Sequence, residues 1–309
     1  MKDRLVTLIG GGGFVGRYVA QELLRAGARV RIAQRRPGRA FFLKPLGGLG
    51  QTQFIAADVT RPDTVARAVA GSDAVVSLVG TWDDFDAIHV RGAETVAKAA
   101  AATGADALLH VSALGADPEA PSAYGRSKAE GEAAVRAAFP AATIFRPAAM
   151  FGREDAFVNR FAGMIATLPV VPVLKPDARL QPVYVADVGE AAVRALGDRA
   201  AHAGKTYDLA GPDVMTMAQL FRWVAGAIGR HPGFFEVPDA LGGVIAAFDF
   251  LPGAPITRDQ WKMLGVDNVA TGPGLAALGV HATPLAVVAP QWLVRFRRHG
   301  RFARLGESA

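Results

Sequence analysis

Residues 5–16 read LVTLIGGGGFVG, and this stretch decides the fold. Leu5–Ile9 has the short, apolar composition of a strand that is buried on both faces of a sheet. Phe14–Ala26, which follows the glycines, has the spacing of apolar residues that is typical of an amphipathic helix. A strand, a glycine turn and a helix in this order predict the first unit of a parallel α/β sheet.

The four glycines that join these elements also predict a ligand. Gly10, Gly13 and Gly16 fit a GxxGxxG pattern, and a GxGxxG pattern begins one residue later. Glycine lets the chain turn sharply, lets a diphosphate approach the backbone and lets the helix pack closely on its strand. The N–H groups at the start of the helix then face the phosphates. The turn therefore predicts a nicotinamide dinucleotide site, since a flexible surface loop does not explain its place between a strand and a helix.

The first half of the chain alternates between strand-like and helix-like stretches. Strands are predicted at Leu5–Ile9, Arg29–Ala33, Gln53–Ala56, Ala74–Val79, Ala107–Ser112 and Ala142–Phe145, and helices at Phe14–Ala26, Pro62–Ala70, Phe85–Ala102 and Tyr124–Ala138. This alternation is typical of a doubly wound α/β fold with a parallel sheet. We predict a nucleotide-binding domain over residues 1–150, completed by later segments, and a smaller α/β lobe with a basic tail over residues 151–309.

The end of the second predicted strand favours one cofactor over the other. NAD-binding sites usually place an acidic residue here for the ribose hydroxyls, whereas an arginine suits the 2′-phosphate of NADP. No Asp or Glu lies between Glu22 and Asp58, and Arg35 and Arg36 occupy the position. Because a guanidinium pairs with phosphate through two parallel hydrogen bonds, the pair favours NADP(H), with NAD(H) as the alternative. A solvated basic loop is the other interpretation of these arginines.

Two further strand ends supply candidate cofactor contacts. Asp58 and Val59 follow the third strand, where a carboxylate can face the adenine; capping the next helix is the alternative role for Asp58. Val79 and Gly80 end the fourth strand, where small residues leave room for a cofactor across the sheet edge.

Tyr124 and Lys128 begin the helix that follows the fifth strand. Side chains four residues apart share a helix face, so the ammonium group can stabilise a phenolate. Tyr124 is accordingly predicted to be a general acid–base with a lowered pKa, and Lys128 to hold the ribose as well.

Composition excludes several other kinds of site. The 309 residues include no cysteine, which excludes disulfides, thiolate zinc sites and cysteine nucleophiles. The six histidines lack the spacing of metal ligands, so we expect no metal. No apolar run reaches the ~18 residues of a membrane-spanning helix, and the first residues do not have the pattern of a signal peptide.

The basic residues are concentrated in places. The 34 basic and 28 acidic residues give a net charge of +6, and one basic cluster runs from Arg295 to Arg304. Such a tail, which also contains aromatic residues, can lie on an anionic membrane surface or bind a partner, and a solvated tail is the alternative. Nucleic acid is not expected, because no nucleic-acid-binding module accompanies the charge.

Taken together, these motifs resemble the extended, atypical short-chain dehydrogenase/reductase family. More narrowly, the chain resembles the Rossmann-fold accessory subunit of respiratory complex I (NADH:ubiquinone oxidoreductase) and its bacterial homologues, over nearly its whole length. The stretches that carry the resemblance are Ile9–Tyr18, His89–Ala93, His110–Asp117, Tyr124–Lys128, Phe145–Pro147, Phe151–Asp155, Gln181–Val188 and Arg295–Phe302.

The resemblance implies a tightly held, structural NADP(H) rather than one that turns over. It implies partners in the peripheral arm of complex I, a role in assembly and stability near the quinone-reducing region, and a peripheral place on the cytoplasmic side of the inner or plasma membrane. Carried over residue by residue, the cofactor contacts are Gly10, Gly13, Phe14, Val15, Arg35, Asp58, Val59, Val79, Ser112, Tyr124, Lys128 and Pro147.

One departure concerns the catalytic pattern of the family. Active extended members place a serine or threonine just after the fifth strand, to bind the reacting oxygen. Here Ser112 is followed by Ala113 and Leu114, which cannot do so. This departure therefore argues against redox catalysis by Tyr124 and Lys128, the two candidate catalytic residues. The alternatives are a free-standing NAD(P)-dependent oxidoreductase or epimerase/dehydratase that uses this pair, and a nucleotide-sensing regulator of quinone metabolism.

Overall fold

A computed structural model describes residues 1–249, 256–272, 274–298 and 300. The chain forms two compact units, and neither is continuous in sequence. The first unit contains Met1–Pro147, Val185–Leu209 and Ala270–His281. The second unit contains the described residues of Ala148–Tyr184, Ala210–Val269 and Ala282–Ala309.

Short strands and helices alternate along most of the described chain. The strands are β1 (Leu5–Ile9), β2 (Arg29–Gln34), β3 (Thr52–Ala56), β4 (Ala74–Ser77), β5 (Ala107–Val111), β6 (Thr143–Pro147), β7 (Met150–Phe151), β8 (Val170–Leu174), β9 (Arg179–Leu180), β10 (Val183–Tyr184), β11 (Thr206–Leu209), β12 (Met215–Thr216) and β13 (Gly233–Val237). The α-helices are α1 (Phe14–Arg25), α2 (Pro62–Val69), α3 (Gly92–Ala102), α4 (Ala123–Ala138), α5 (Val158–Thr167), α6 (Val185–Gly197), α7 (Arg199–His202), α8 (Met217–Ile228), α9 (Asp239–Ala247), α10 (Arg258–Met263), α11 (Leu285–Val288) and α12 (Pro290–Leu293). One turn of π-helix (Asp86–Arg91) precedes α3, and 3₁₀ helices occupy Pro37–Leu46, Ala276–Leu278 and Val294–Phe296.

A parallel sheet of seven strands forms the centre of the first unit. Its order is β11-β6-β5-β4-β1-β2-β3, which confirms the predicted doubly wound α/β fold. Each of the six predicted strands forms, with its ends within two residues of the prediction. The central strands β1 (LVTLI), β4 (AVVS) and β5 (ALLHV) are mostly apolar and buried, because helices cover both faces of the sheet.

The sheet has a topological switch point between β1 and β4. From β1 the chain builds the sheet in one direction through β2 and β3, and from β4 it builds in the other. The carboxyl ends of β1 and β4 therefore diverge into loops that leave a crevice, and in folds of this kind ligands bind in that crevice.

Helices pack in two groups around the sheet. α1 packs closely against α6 at Gly189, where a Cβ would come 3.0 Å from the backbone of Tyr18. α2 packs on α3 and α3 packs on α4, and their apolar residues share a core with the strands. Although α6 lies far along the sequence, it belongs to the first unit.

The second unit has a core of its own around α5 and α8. Phe161 on α5 and Phe221 on α8 place their ring centroids 4.3 Å apart, and Trp292 and Leu293 of α12 are buried in the same cluster. A capping box between Thr216 and Gln219 fixes the start of α8. The prolines between residues 169 and 182 predict a long irregular connection, and this prediction is wrong in part because β8 forms there and pairs in parallel with β13.

Candidate nucleotide-binding site

The glycine turn after β1 has the geometry that a diphosphate site requires. Gly10 has a φ of +84°, which favours glycine. A Cβ on Gly10 would lie 3.2 Å from Cγ2 of Val79, so the turn packs directly against the end of β4. A Cβ on Gly16 would overlap the backbone of Gly11, and glycine is therefore needed for α1 to lie this close to the turn.

Gly13 differs from these glycines because little in the protein fills the space beside it. A Cβ there would meet only the carbonyl oxygen of Gly10, at 3.3 Å. Gly13 is the N-cap of α1 and provides no side-chain hydrogen bond to the helix, and the first turn of α1 contains no acidic residue. The start of α1 at Phe14 and Val15 thus offers positive N–H groups and an open approach, as a phosphate requires.

Three arginines surround a depression at the ends of β2 and β3. Its volume is about 290 Å³, and its lining residues are Arg35, Ala56, Ala57, Asp58, Arg61, Thr64 and Arg67. Asp58 Oδ1 accepts hydrogen bonds from the backbone N–H and the hydroxyl of Thr60. These bonds, aided by Arg35 and Arg61, hold the pKa of Asp58 below its usual value, so it is a carboxylate at neutral pH.

This depression takes in some of the predicted adenosine contacts and leaves others outside. Arg35 and Asp58 line it together. Arg36 is exposed next to it and is not one of its lining residues. Arg61 and Arg67 were not predicted; Arg61 is the N-cap of α2 and Arg67 lies in its last turn. Val59 faces the opposite way and packs against Gly92 of α3.

The ends of β5 and β6 contribute Ser112 and Pro147. The backbone N–H of Ser112 donates to Phe145, and the N–H of Leu114 donates to the carbonyl oxygen of Pro147. Ser112 is buried, yet in the described part of the chain nothing forms a hydrogen bond with its hydroxyl oxygen. A buried hydroxyl without a partner is costly, and a ligand that bonds to it would remove that cost.

Tyr124 and Lys128 lie in the first turns of α4, as predicted. Ser122 caps the helix by accepting the N–H of Gly125, at 3.0 Å. Lys128 Nζ lies 5.7 Å from the centroid of the Tyr124 ring, and a Cβ on Gly80 would lie 3.9 Å from the same nitrogen. The structure thus brings the end of β4 and the tyrosine–lysine pair together.

Aromatic rings enclose Tyr124. The indole of Trp82 stacks on it with ring centroids 4.7 Å apart and an interplanar angle of 18°. Phe85 and His89 meet it edge to face, with centroid distances of 5.9 and 5.3 Å. Trp82 itself remains 54% exposed, so its outer face is open to solvent.

His89 ties this cluster together through hydrogen bonds. The backbone N–H of Thr81 donates to Nε2 at 3.1 Å, so the proton of the neutral imidazole is on Nδ1. Nδ1 lies 2.9 Å from the hydroxyl of Ser127, which in turn donates to the carbonyl oxygen of Tyr124. Burial, with a smaller effect from Lys128, lowers the pKa of His89 to about 3, so it stays neutral.

The prediction of a lowered pKa for Tyr124 is wrong for this structure. Burial raises its pKa to about 12. Burial also lowers the pKa of Lys128 to about 8, although the neighbouring Glu132 carboxylate acts in the opposite direction. The helical spacing correctly placed the two side chains near each other, but desolvation outweighs their attraction.

Comparison with known proteins shows the family to which this chain belongs. A family described as NAD(P)H-binding matches residues 10–156. A Mus musculus protein, NADH dehydrogenase (ubiquinone) 1 alpha subcomplex subunit 9, mitochondrial, is 34% identical over 309 aligned residues, which cover 96% of this chain and 81% of the mouse protein. The chain belongs to the subunit 9 family.

Two reductases are also similar to this chain. A ceramide reductase of Caulobacter vibrioides is 29% identical over 81% of this chain and 80% of its own length. Triphenylmethane reductase of Citrobacter sp., solved with NADP(H), superimposes with a TM-score of 0.77 at 19% identity, over 94% of this chain and 99% of that one. The second match shows that this member of the subunit 9 family has the extended short-chain dehydrogenase/reductase fold.

Two further properties of this family member concern the membrane and metal ions. In the ranges that the structure describes, no helix is both long and apolar enough to cross a membrane. Over the same ranges, no three or more His, Asp or Glu residues come together as metal ligands would.

Proposed function

We propose that this chain is an NADP(H)-binding accessory subunit of respiratory complex I, in which the nucleotide is a structural ligand. The observation that carries the proposal is the 34% identity to the mouse complex I subunit over 96% of this chain. The partners would be subunits of the peripheral arm, and the role would be assembly and stability near the quinone-reducing region.

The glycine turn and the arginine-lined depression support binding of the nucleotide. The N–H groups at the start of α1 would hold the diphosphate, and Arg35 with Asp58 would hold the adenosine end. A ligand that binds only the folded state at a thousand times its dissociation constant stabilises a protein by about 4 kcal/mol. Such a nucleotide would keep the first unit folded.

The cofactor would be NADP(H) rather than NAD(H). Three guanidinium groups and one carboxylate line the depression, so its lining carries a net charge of +2. A phosphate monoester carries a charge close to −2 at neutral pH, whereas a ribose hydroxyl carries none. The depression therefore suits the 2′-phosphate.

A structural role agrees with the surroundings of Tyr124. A nicotinamide cofactor, when bound, supplies hydride chemistry, and an active reductase needs an accessible residue that exchanges a proton with the substrate. Here Trp82 covers the tyrosine ring, and a pKa of about 12 opposes loss of its proton. Both features disfavour turnover.

Native gel electrophoresis of membranes from the parent organism tests the proposal. The tagged chain should migrate with the band that stains for NADH dehydrogenase activity, and mass spectrometry of the purified chain should identify bound NADP(H). Migration only as a free protein would refute the subunit assignment. If the purified chain contains no nicotinamide nucleotide, and calorimetry detects no binding of NADPH or NADH, the proposal of a structural nucleotide is refuted.

A free-standing reductase is the second candidate, and it has specific support. The Caulobacter relative is named for reduction of ceramide, and Ser112, Tyr124 and Lys128 are all present here. If this candidate is correct, the purified chain should oxidise NADPH in the presence of a carbonyl lipid, and Tyr124→Phe should abolish the rate. If Tyr124→Phe leaves the rate of NADPH oxidation unchanged, Tyr124 is not the catalytic residue of such a reductase.

The basic tail would lie on the anionic surface of the membrane, on its cytoplasmic side. His299 and residues 301–309 are outside the described part of the chain, whereas Arg297 donates to the carbonyl oxygen of Ala227 and anchors the start of the tail. Because Trp292 is buried in the core, a truncation that tests the tail should follow Gly300. Loss of binding to vesicles with phosphatidylglycerol would support this role, and unchanged binding would refute it.

A further inference from the structure

An exposed apolar surface lies between β2 and β3, away from the tyrosine cluster. Phe41, Phe42 and Leu46 are each at least 40% exposed, and Leu49 is fully exposed. Together these four side chains form what we call the Phe41–Leu49 surface. Monomeric proteins seldom group large apolar side chains in this way unless the patch has a partner.

Buried side chains anchor the backbone beneath this surface. Ala40 and Leu43 are fully buried and attach the 3₁₀ helix to the first unit. The turn that follows is closed by two hydrogen bonds between Gly48 and Gln51, one of them at 2.6 Å from the Gly48 N–H to Oε1 of Gln51. Gln51 also donates to the carbonyl oxygen of Ala28. Leu49 is thus held at the tip of a closed turn, pointing away from the protein.

Cations lie against two of these apolar side chains. From residue 23 to residue 57 the sequence has no Asp or Glu, while Arg25, Arg29, Arg31, Arg35, Arg36, Arg39 and Lys44 all fall in this range. Lys44 Nζ lies 3.9 Å from the centroid of the Phe41 ring, and Arg17 Cζ lies 4.3 Å from that of Phe42. The surface therefore combines exposed apolar side chains with neighbouring cations.

A protein partner fits this surface better than a lipid bilayer. A helix that binds a bilayer presents a continuous apolar stripe, whereas here Lys44 lies between Phe42 and Leu46 in a 3₁₀ helix of ten residues. Interfaces between proteins are enriched in Phe and Arg, and their strongest contacts come from rigid side chains that fill recesses. The two exposed phenylalanine rings and the cations beside them match this composition, and Leu49 is an exposed apolar side chain that would fill a recess.

We propose that the Phe41–Leu49 surface docks a neighbouring complex I subunit whose surface offers an apolar recess bordered by carboxylates. The inference rests on the proposed function, since it names the face through which this chain would join the complex. Leu49 enters the recess, the phenylalanine rings cover its edge, and Arg39 and Lys44 face the acidic groups.

Native gels of membranes from a deletion strain complemented with tagged variants test the docking. Leu49→Asp places a charge in the apolar contact, and Lys44→Glu reverses one of the cations. The amount that migrates with the NADH dehydrogenase band should fall at least about tenfold for Leu49→Asp. Val287→Asp is the matched control because Val287 is 63% exposed on α11 in the second unit, and it should change migration less than about twofold.

Each outcome decides the question. If the unsubstituted chain does not migrate with the complex, both the subunit assignment and the docking fail. If the unsubstituted chain migrates with the complex, and Leu49→Asp and Lys44→Glu also migrate with it, only the docking is refuted. Calorimetry should show unchanged NADPH affinity in both variants, which excludes misfolding as the cause. Loss of binding to phosphatidylglycerol vesicles with complex association intact would assign the surface to lipid and overturn the proposal.

Discussion

Arg61 and Arg67 share a depression with Arg35 because β2 and β3 are neighbours that end at one edge of the sheet. The sequence identifies Arg35 from its place at the end of β2. It gives no sign of the other two, since their distance from the cofactor depends on how α2 leaves the sheet. Recognition of the 2′-phosphate would thus be divided between two elements.

Substitution of these arginines should change cofactor preference. Arg35→Ala and Arg61→Ala should each weaken NADPH binding about tenfold or more, because each removes a charged hydrogen bond, and should leave NADH binding within about twofold. Titration calorimetry with both nucleotides measures this. Arg36→Ala is the control, since Arg36 does not line the depression. Equal losses for NADPH and NADH would show that the arginines do not contact the 2′-phosphate.

Removal of Trp82 should change the ionisation of Tyr124. Trp82→Ala uncovers one face of the ring, and because burial is what raises the pKa of Tyr124 to about 12, that pKa should fall toward the ordinary value near 10. Absorbance of tyrosinate at pH 9–11, compared with Trp82→Ala/Tyr124→Phe, reports on this residue. Trp82→Phe keeps a stacked ring and should behave like the unsubstituted chain; a titration that Trp82→Ala does not alter would contradict the explanation.

At the scale of elements, the glycine turn separates two functions that the motif combines. Gly16 serves packing, because a Cβ there would overlap the backbone of Gly11. Gly13 leaves space for a ligand, because a Cβ there meets only one oxygen at 3.3 Å. The two roles cannot be distinguished from the pattern of glycines.

Alanine substitutions should resolve those two roles. Gly13→Ala should lower nucleotide affinity about tenfold or more and leave the melting temperature of the ligand-free chain nearly unchanged. Gly16→Ala should lower the melting temperature itself, since the helix must move away from the turn. Gly226→Ala is the control: Gly226 is exposed within α8 with no neighbour near its Cβ, so the change should stabilise the chain by about 0.5–1 kcal/mol. Equal affinities for Gly13→Ala and the unsubstituted chain would contradict the diphosphate site.

The elements of the first unit could be predicted from the sequence, and several of the second could not. β1 to β6 and α1 to α4 alternate within short distances, so local patterns and the βαβ rule determine them. β8 and β13 pair although more than fifty residues separate them, and Pro172 within β8 argues against a strand. That position is tolerated in a two-stranded sheet, where a proline can lie on the open edge.

At the scale of the molecule, some features of the candidate site could be predicted from the sequence and others could not. Glycines, Arg35, Asp58, Tyr124 and Lys128 follow from motif and strand order. The stacking of Trp82 on Tyr124 does not, because that contact joins a loop to the start of α4, and the direction of the tyrosine pKa depends on burial rather than on spacing. Spacing in the sequence indicates which side chains are adjacent on one helix or strand. It does not indicate which side chains of other elements bury them.

The whole molecule should lose stability in mild acid because of its buried histidines. His110 is buried, and burial lowers its pKa to about 3, against 6.5 in the unfolded chain. Below pH 6.5 the unfolded chain binds a proton that the folded chain does not, so the stabilisation is complete above pH 6.5 and is lost as the pH falls toward 3. The loss at pH 5 is about 2 kcal/mol for this residue.

Urea denaturation at pH 7.5 and pH 5 measures this loss. His110→Phe cannot take up a proton and should show a smaller difference between the two pH values than the unsubstituted chain. His231→Asn changes an exposed histidine of the second unit and should leave the difference as it is. A difference that is the same in all three chains would show that His110 is not responsible.

The sheet of the first unit is finished late in the chain. Its edge strand β11 ends at Leu209, and the last stretch of that unit ends at His281, beyond a long part of the second unit. Most of the polypeptide must therefore be synthesised before the first unit can complete its fold. Until β11 is made, the edge of β6 lacks its hydrogen-bonding partner strand. When residues 1–150 are expressed alone, we expect the product to accumulate in inclusion bodies. The first unit therefore should not be obtained as a soluble fragment by truncation after residue 150.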